Sequence, residues 1–263
     1  MARKPLKGAL PCPRVTTVGG WRDISARTGK DGTVSWTVIV PVKRLEAAKT
    51  RLRKGVADAD HEALVLAMAL DTVAAALASP VIGRVVVVTT DPVPGDAAVV
   101  LGAEVIPDVP DAGLNPALAY AAAHVRRTGA TASQPGVAAL AADLPALRTG
   151  ELTEALRRAE EVAESSGGRK LRRSFVADAA GTGTVLLAAP PAALLEPCFG
   201  ANSAAAHQAS GAVALTEPWP TLRRDVDTPA DLAEAFVFGV GARTAAASQA
   251  LRRAHLLADP LAG

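Results

Sequence analysis

From Trp36 onward, short β-branched runs alternate with Ala/Leu-rich segments of helical length, the pattern of parallel strands joined by crossover helices. Thr37 to Val42 reads as the first strand. Asp58 to Ser79 reads as a helix that opens with acidic residues in its first turns and stops before Pro80. Val85 to Thr90 follows as a second strand. Its unbroken valines lack polar alternation, as expected of a strand covered on both faces, and Asp91-Pro92 ends it. Glu104 to Ile106 is a short third strand. Asn115-Pro116 then reads as an N-cap and N1 proline, with the helix running to Arg127. Val137 to Ala142 returns to the sheet and is closed by Asp143-Leu144-Pro145. Thr149 to Ser165 is an amphipathic helix. Phe175 to Ala177 and Thr184 to Ala188 flank a Gly/Ala-rich stretch, which predicts an antiparallel excursion, and Ala212 to Leu215 adds a strand. Thr228-Pro229-Ala230-Asp231 supplies an N-cap, an N1 proline and an N3 carboxylate for a last helix towards Phe238.

This is an α/β chain with one compact unit over 36–241. A disordered extension is expected at 1–35, and a tail of doubtful order at 242–263. The 263 residues are 49% hydrophobic and 21% charged, enough to bury a core. A net charge of +2 excludes a surface built as a polyanion trap, and 3% aromatics leaves few platforms for stacking single-stranded nucleic acid. Cys12 and Cys198 cannot form a zinc quartet, and with Cys12 in the extension a structural disulfide is not expected; a reducing, cytoplasmic setting fits. No apolar run reaches the roughly 20 residues of a membrane span, and the start offers no continuous h-region for a secretory signal.

Six cations between Lys43 and Lys54 (Lys43, Arg44, Lys49, Arg51, Arg53, Lys54) face only Glu46, directly after the first strand. Ligands of open α/β sheets bind at the carboxyl ends of strands, so this loop can neutralise a polyphosphate; a solvated face explains it equally well. Neither a Walker motif nor a glycine-rich dinucleotide fingerprint is present. Asp143 ends an apolar strand, and Asp225 and Asp227 precede the Thr228-Pro229 helix start. Capping competes at each, but Mg²⁺ takes a few carboxylates plus phosphate oxygens, so separated aspartates with a cationic loop point to nucleotide chemistry. Gly181 to Thr184 and Phe199 to Ser203 form two small-residue loops, the second leading into a helix over Ala204 to Ser210 with Ser203 at its cap. His124 and His207 read as helix-surface or core histidines, without spaced partners for a transition metal. Cys198 has no adjacent base, and no Ser/His/Asp order appears, so covalent catalysis has little support.

Val40-Pro41-Val42-Lys43 with Ala48-Lys49-Thr50-Arg51-Leu52, then Gly113-Leu114-Asn115, Asp143-Leu144-Pro145, Gly181 to Thr184, Phe199-Gly200 and Asp225-Val226-Asp227-Thr228-Pro229 form one ordered set. That set resembles the 2-phospho-L-lactate guanylyltransferase family, whose actinobacterial members act as phosphoenolpyruvate guanylyltransferases in coenzyme F-420 biosynthesis. The resemblance covers about Trp36 to Gly241. It implies a nucleotidyltransferase-like fold similar to the molybdopterin guanylyltransferases, a mostly parallel sheet with helices on both faces, with Pro-Val-Lys replacing the glycine-rich start. It also implies roles: Lys43, Lys49 and Arg51 on GTP phosphates, Asn115 on the nucleotide, Asp143, Asp225 and Asp227 on Mg²⁺, and Thr184, Gly200 and Ser203 on phosphoenolpyruvate. Lys43, Lys49 and Asp143 would carry the chemistry. Alternative acceptors are 2-phospho-L-lactate, 3-phosphoglycerate or another small phosphate. A nucleic-acid module built on the dispersed arginine pairs is disfavoured. The implied partners are small molecules, with neither nucleic acid nor membrane, and oligomeric state stays open.

Overall fold

The computed structural model describes residues 36–45, 52, 58–109, 111–128, 135–165 and 172–258, so the extension read at 1–35 and most of the cationic loop lie outside the described residues. β1 (Trp36–Pro41), β2 (Ile82–Val88), β3 (Glu104–Ile106), β4 (Gly136–Leu140), β5 (Ser174–Ala177), β6 (Thr184–Ala189) and β7 (Val213–Ala214) form one seven-stranded sheet in the order β3-β2-β1-β4-β6-β5-β7. β1 pairs parallel with β2 and β4, and β2 with β3. β6 pairs antiparallel with both β4 and β5, and β5 parallel with β7. The β5–β6 hairpin is thus the antiparallel excursion that the Gly/Ala-rich turn predicts.

Helices cover both faces. Val38 and Val40 of β1 and Val85 and Val87 of β2 join an apolar cluster with Ala69 and Val73 of α1 (Asp58–Leu77) and Leu152 and Leu156 of α4 (Thr149–Glu164). The alternate residues Ile39, Val86 and Val88 pack on Leu118, Ala121 and Val125 of α3 (Leu114–Thr128). Burial on both sides is why the valine run of β2 shows no polar alternation. A third cluster joins Leu45, Leu52, Leu64 and Met68 to Val226 and to Ala235 of α6 (Pro229–Phe238).

Three expectations need correction. A helix, α2 (Pro92–Leu101), follows β2 where none is read from the sequence: Asp91 caps it by accepting from the Val93 N–H at 3.0 Å. Pro94 and Gly95 break the apolar pattern, yet a proline in the first turn forfeits no helical hydrogen bond. Asn115 is not the N-cap of α3, because the helix already includes Leu114. The tail of doubtful order is a helix, α7 (Ala242–Ala258), whose Ala247 and Leu251 pack on the third cluster. Its open N-terminus is satisfied by Asp71 of α1, which accepts from the Thr244 N–H at 2.8 Å and the Arg243 N–H at 3.3 Å, 173 and 172 residues away in sequence. Among the described residues, no helix is long and apolar enough to cross a membrane.

Candidate active site

The chain leaves β1 for β2 on one side and returns through β4 on the other, so the sheet order reverses between β1 and β4. Open α/β sheets place ligands at such a switch point, outside the carboxyl ends of the strands. The parallel register runs from Trp36↔Gly136 to Ile39↔Ala139, and Lys43 and Asp143 follow the carboxyl ends of these two neighbouring strands. A cavity of about 720 Å³ opens there, within the usual range for small-molecule sites. Of the residues singled out from the sequence, Lys43, Asp143, Thr184, Gly200, Ser203, Asp225 and Asp227 line it. Asn115 lies behind its wall. Lys49 and Arg51 fall outside the described residues.

A backbone hydrogen bond joins the two aspartate segments. The Val226 N–H donates to the Asp143 carbonyl at 3.0 Å, and the fully buried Val226 side chain anchors its segment in the third cluster. The flanking Asp225 and Asp227 line the cavity. On the Asp143 side, the buried Thr72 hydroxyl accepts from the Leu144 N–H at 3.1 Å and lies 3.1 Å from the Ala142 carbonyl, fixing the turn from α1. On the other side, the expected cap of α6 is present as a reciprocal box. Thr228 Oγ1 accepts from the Asp231 N–H at 3.2 Å, while the Asp231 carboxylate accepts from the Thr228 and Asp227 N–H groups at 2.8 and 3.1 Å. Partial burial pushes the Asp231 carboxyl upward, but the Thr228 hydroxyl, these two N–H groups and Arg224 outweigh it and leave the pKa below the ordinary value.

The opposite wall is the turn of the β5–β6 hairpin. Asp178 folds over it, accepting from the Thr182 N–H at 2.9 Å and the Gly183 N–H at 2.8 Å. A Cβ on Gly183 would collide with Asp178 Oδ2, so any larger residue here must displace that carboxylate from its two N–H donors. The turn is tied back to the aspartate segment: Ala179 N–H donates to the Arg223 carbonyl at 2.8 Å, and the Arg223 guanidinium to the Leu215 and Ala177 carbonyls.

The last wall, 195–203, is held by three side chains from separate elements. Buried Arg173 donates to the carbonyls of Leu195 and Glu196 at 3.2 and 3.0 Å and pairs with the Glu196 carboxylate at 2.6 Å. Asn115 clamps the Phe199 backbone on both sides, its Oδ1 accepting from the N–H at 2.7 Å and its Nδ2 donating to the carbonyl at 2.9 Å. His207 of α5 (Ser203–Ala209) accepts the Cys198 N–H at Nε2, 2.9 Å away, and meets Thr184 Oγ1 at Nδ1, also at 2.9 Å. Gly200 then turns the chain at φ 140°, a conformation open to glycine and costly for other residues. Ser203 is not the cap expected from sequence. Asn202 holds the N-cap position and makes no side-chain cap bond, and Ser203, buried, is the first helical residue.

A family model described as "Guanylyl transferase CofC like" matches residues 36–194. The chain belongs to the CofC-like guanylyl transferase family. A protein of Salinispora arenicola named phosphoenolpyruvate guanylyltransferase is 55% identical over 210 residues, covering 80% of this chain and 92% of its own. One of the same name from Geodermatophilus obscurus is 52% identical over 218 residues, covering 81% and 93%. Among solved structures, a Desulfovibrio desulfuricans protein assigned to the nucleotide-diphospho-sugar transferases superposes with a TM-score of 0.55 at 15% identity, over 76% of this chain and 85% of that one. At that identity the likeness is one of fold, the nucleotidyltransferase-like α/β sheet.

In this guanylyl transferase fold the charge of the cavity is lopsided: among its described lining residues, Asp143, Asp178, Asp225 and Asp227 face the single ammonium of Lys43. Asp178 accepts two backbone N–H groups, and Asp143, Asp225 and Asp227, from two separate segments, bring further hard carboxylate oxygens to the cavity lining. Among the described residues, no three His, Cys, Asp or Glu side chains are gathered tightly enough to hold a metal ion alone. That donor set fits Mg²⁺, which keeps near-octahedral geometry by combining one or two carboxylates with phosphate oxygens and water. Asp178, Arg173 and His207 are functional-wall residues that sequence reading missed. An Asp four and five residues ahead of backbone donors in a Gly-rich turn is a legible signal for the first; the other two act through contacts that only the fold creates.

Proposed function

We propose that this chain transfers GMP from GTP to phosphoenolpyruvate and releases pyrophosphate, in the cytoplasm and as a step of coenzyme F-420 biosynthesis. The reading is supported by family membership, by the names of the relatives, and above all by the Val226 N–H···O=C Asp143 bond, which gathers the separated aspartates opposite the Thr184 and Gly200–Ser203 wall. In the reaction, a phosphate oxygen of phosphoenolpyruvate forms a bond to the α-phosphorus of GTP. The bond from that phosphorus to the bridging oxygen breaks, and pyrophosphate leaves with the electron pair. Both reactants are anions, so charge neutralisation and in-line placement are the main tasks, and no covalent enzyme intermediate is required. Lys43, with Lys49 and Arg51, neutralises GTP phosphates. Asp143, Asp225 and Asp227 would hold Mg²⁺, which when bound screens phosphate charge and orients the phosphate oxygens. Thr184, the backbone at Gly200 and Ser203 hold the acceptor, and Asn115, which the family resemblance gives to the nucleotide, fixes the Phe199 backbone next to the acceptor wall.

Pyrophosphate release measured across four nucleotides and three acceptors (phosphoenolpyruvate, 2-phospho-L-lactate and 3-phosphoglycerate) tests this. The expected result is release only with GTP plus phosphoenolpyruvate, abolished by chelator and restored by Mg²⁺. Equal release without any acceptor, or a preference for 2-phospho-L-lactate or 3-phosphoglycerate over phosphoenolpyruvate, would sink the reading.

A further inference from the structure

His207 is fully buried, packed edge-on against Phe199 at a centroid distance of 5.0 Å and tilted against Phe175 at 5.9 Å. Its two nitrogens have unlike partners. The Cys198 backbone N–H can only donate, so Nε2, which receives it at 2.9 Å, carries the lone pair. A neutral ring then bears its proton on Nδ1, 2.9 Å from the Thr184 hydroxyl oxygen. Burial first, and then the Arg173 guanidinium, lower the His207 pKa to about 4 against a backbone hydrogen bond with Ser203 that raises it, so the ring is neutral at neutral pH. A neutral Nδ1–H donates and cannot accept, so it is shared between the Thr184 oxygen and the Ser203 carbonyl, and Thr184 cannot spend its own proton on the ring. The threonine hydroxyl thereby has one lone pair occupied, and its own proton is free for another acceptor. Thr184 lines the cavity.

We propose that His207 is a positioning residue that fixes Thr184 as a hydrogen-bond donor to the anionic oxygens of the acceptor, while its other nitrogen holds the Cys198–Gly200 wall in place. This rests on the proposed function, in which Thr184 contacts the acceptor. A hydroxyl free to rotate would spend part of its time presenting a lone pair to an anion, so a locked proton favours the acceptor and leaves GTP untouched.

The two nitrogens can be separated by side-chain length: Asn supplies a donor near Nδ1 and nothing at Nε2, whereas Gln supplies an acceptor near Nε2 and nothing at Nδ1. His207→Gln should raise the KM for phosphoenolpyruvate about tenfold, the loss of one hydrogen bond to a charged group, with the KM for GTP changed less than about twofold. His207→Asn should recover most of that loss, although it abandons Cys198. A residue that merely packs would give two variants whose KM values follow their thermal stability. Thr184→Val, which removes the hydroxyl outright, should raise the KM for phosphoenolpyruvate at least as far as His207→Gln, and the double variant should add no more than about a further twofold over Thr184→Val, since the ring acts through that hydroxyl. Multiplied effects near a hundredfold, or equal rises in both KM values, would overturn the proposal.

A measurement on the wild type stands apart from any folding defect. In ¹⁵N-histidine-labelled protein, the His207 ring at neutral pH should be the Nδ1–H tautomer, and an Nε2–H tautomer overturns the proposal outright. Should wild type release no pyrophosphate with any phosphorylated acid, the functional reading fails and this one with it. Turnover in wild type with a multiplicative cycle sinks this inference alone.

Discussion

Acid should unfold this protein partly through one imidazole. In the unfolded chain His207 titrates near 6.5, while in the folded protein burial and Arg173 bring it to about 4. Above pH 6.5 the ring is neutral in both states and adds no pH dependence. Between the two values the unfolded chain takes up a proton that the folded protein refuses, so stability falls as pH falls; below about 4 both states are protonated and the loss is complete. The span is about 2.5 pH units at about 1.4 kcal/mol each, a ceiling of about 3 kcal/mol, with about 2 kcal/mol already lost at pH 5. Urea unfolding of wild type and His207→Asn from pH 7.5 to 4.5 isolates this group from the other carboxylates and histidines. The variant should start less stable at pH 7.5, having lost the Cys198 hydrogen bond, and the two curves should converge on acidification. Parallel curves, with wild type and variant losing the same stability between pH 7 and 5, would refute the argument from burial.

Asp143→Asn should lower kcat by at least about a hundredfold and raise the Mg²⁺ needed for half-maximal rate, with thermal unfolding almost unchanged because the amide is nearly isosteric; a wild-type kcat at saturating Mg²⁺ would remove Asp143 from the site. Gly183→Ala places a Cβ against Asp178 Oδ2, and the carboxylate must swing off its two N–H donors; acceptor KM should rise by the equivalent of about 1 to 3 kcal/mol, with GTP KM held, and acceptor titration checks it. Asp71→Ala uncaps α7 and strands its first N–H groups, costing about 2 kcal/mol, or roughly 4 to 8 °C in Tm for a domain of this size. Differential scanning calorimetry reads the shift, and kcat at 25 °C should hold.

Much of this architecture is legible because its signals are local. The valine run of β2, the Thr228-Pro229-Ala230-Asp231 box and the turn between β5 and β6 are each specified within a few residues, and each stands where sequence places it. Asp143, Asp225 and Asp227 are legible for a related reason: carboxylates at element ends in an α/β chain are carried to the same edge by topology. What escapes is what depends on distant partners. α7 has no cap of its own and borrows Asp71 from α1, so its alanine-rich sequence carries no start signal. Asn115 has the composition of an N-cap, yet its amide is spent on the Phe199 backbone 84 residues later. His207 looks like a core histidine and is one; only its two partners, Thr184 and Cys198, give it a direction.

The junction between β1 and β4 has a kinetic consequence. Trp36 pairs with Gly136, a hundred residues on, so the two strands that frame the cavity meet only by closing a loop of that length. Pairing of such sequence separation is slow, because loop-closure entropy is lost before contacts compensate it. Until β4 docks, β1 presents Val38, Ile39 and Val40, all buried in the finished sheet, on an open edge. Refolding should therefore pass through an aggregation-prone stage whose duration is set by this closure. Ligands that bridge the aspartates and Lys43 engage only the closed form, so they should slow unfolding far more than they speed refolding.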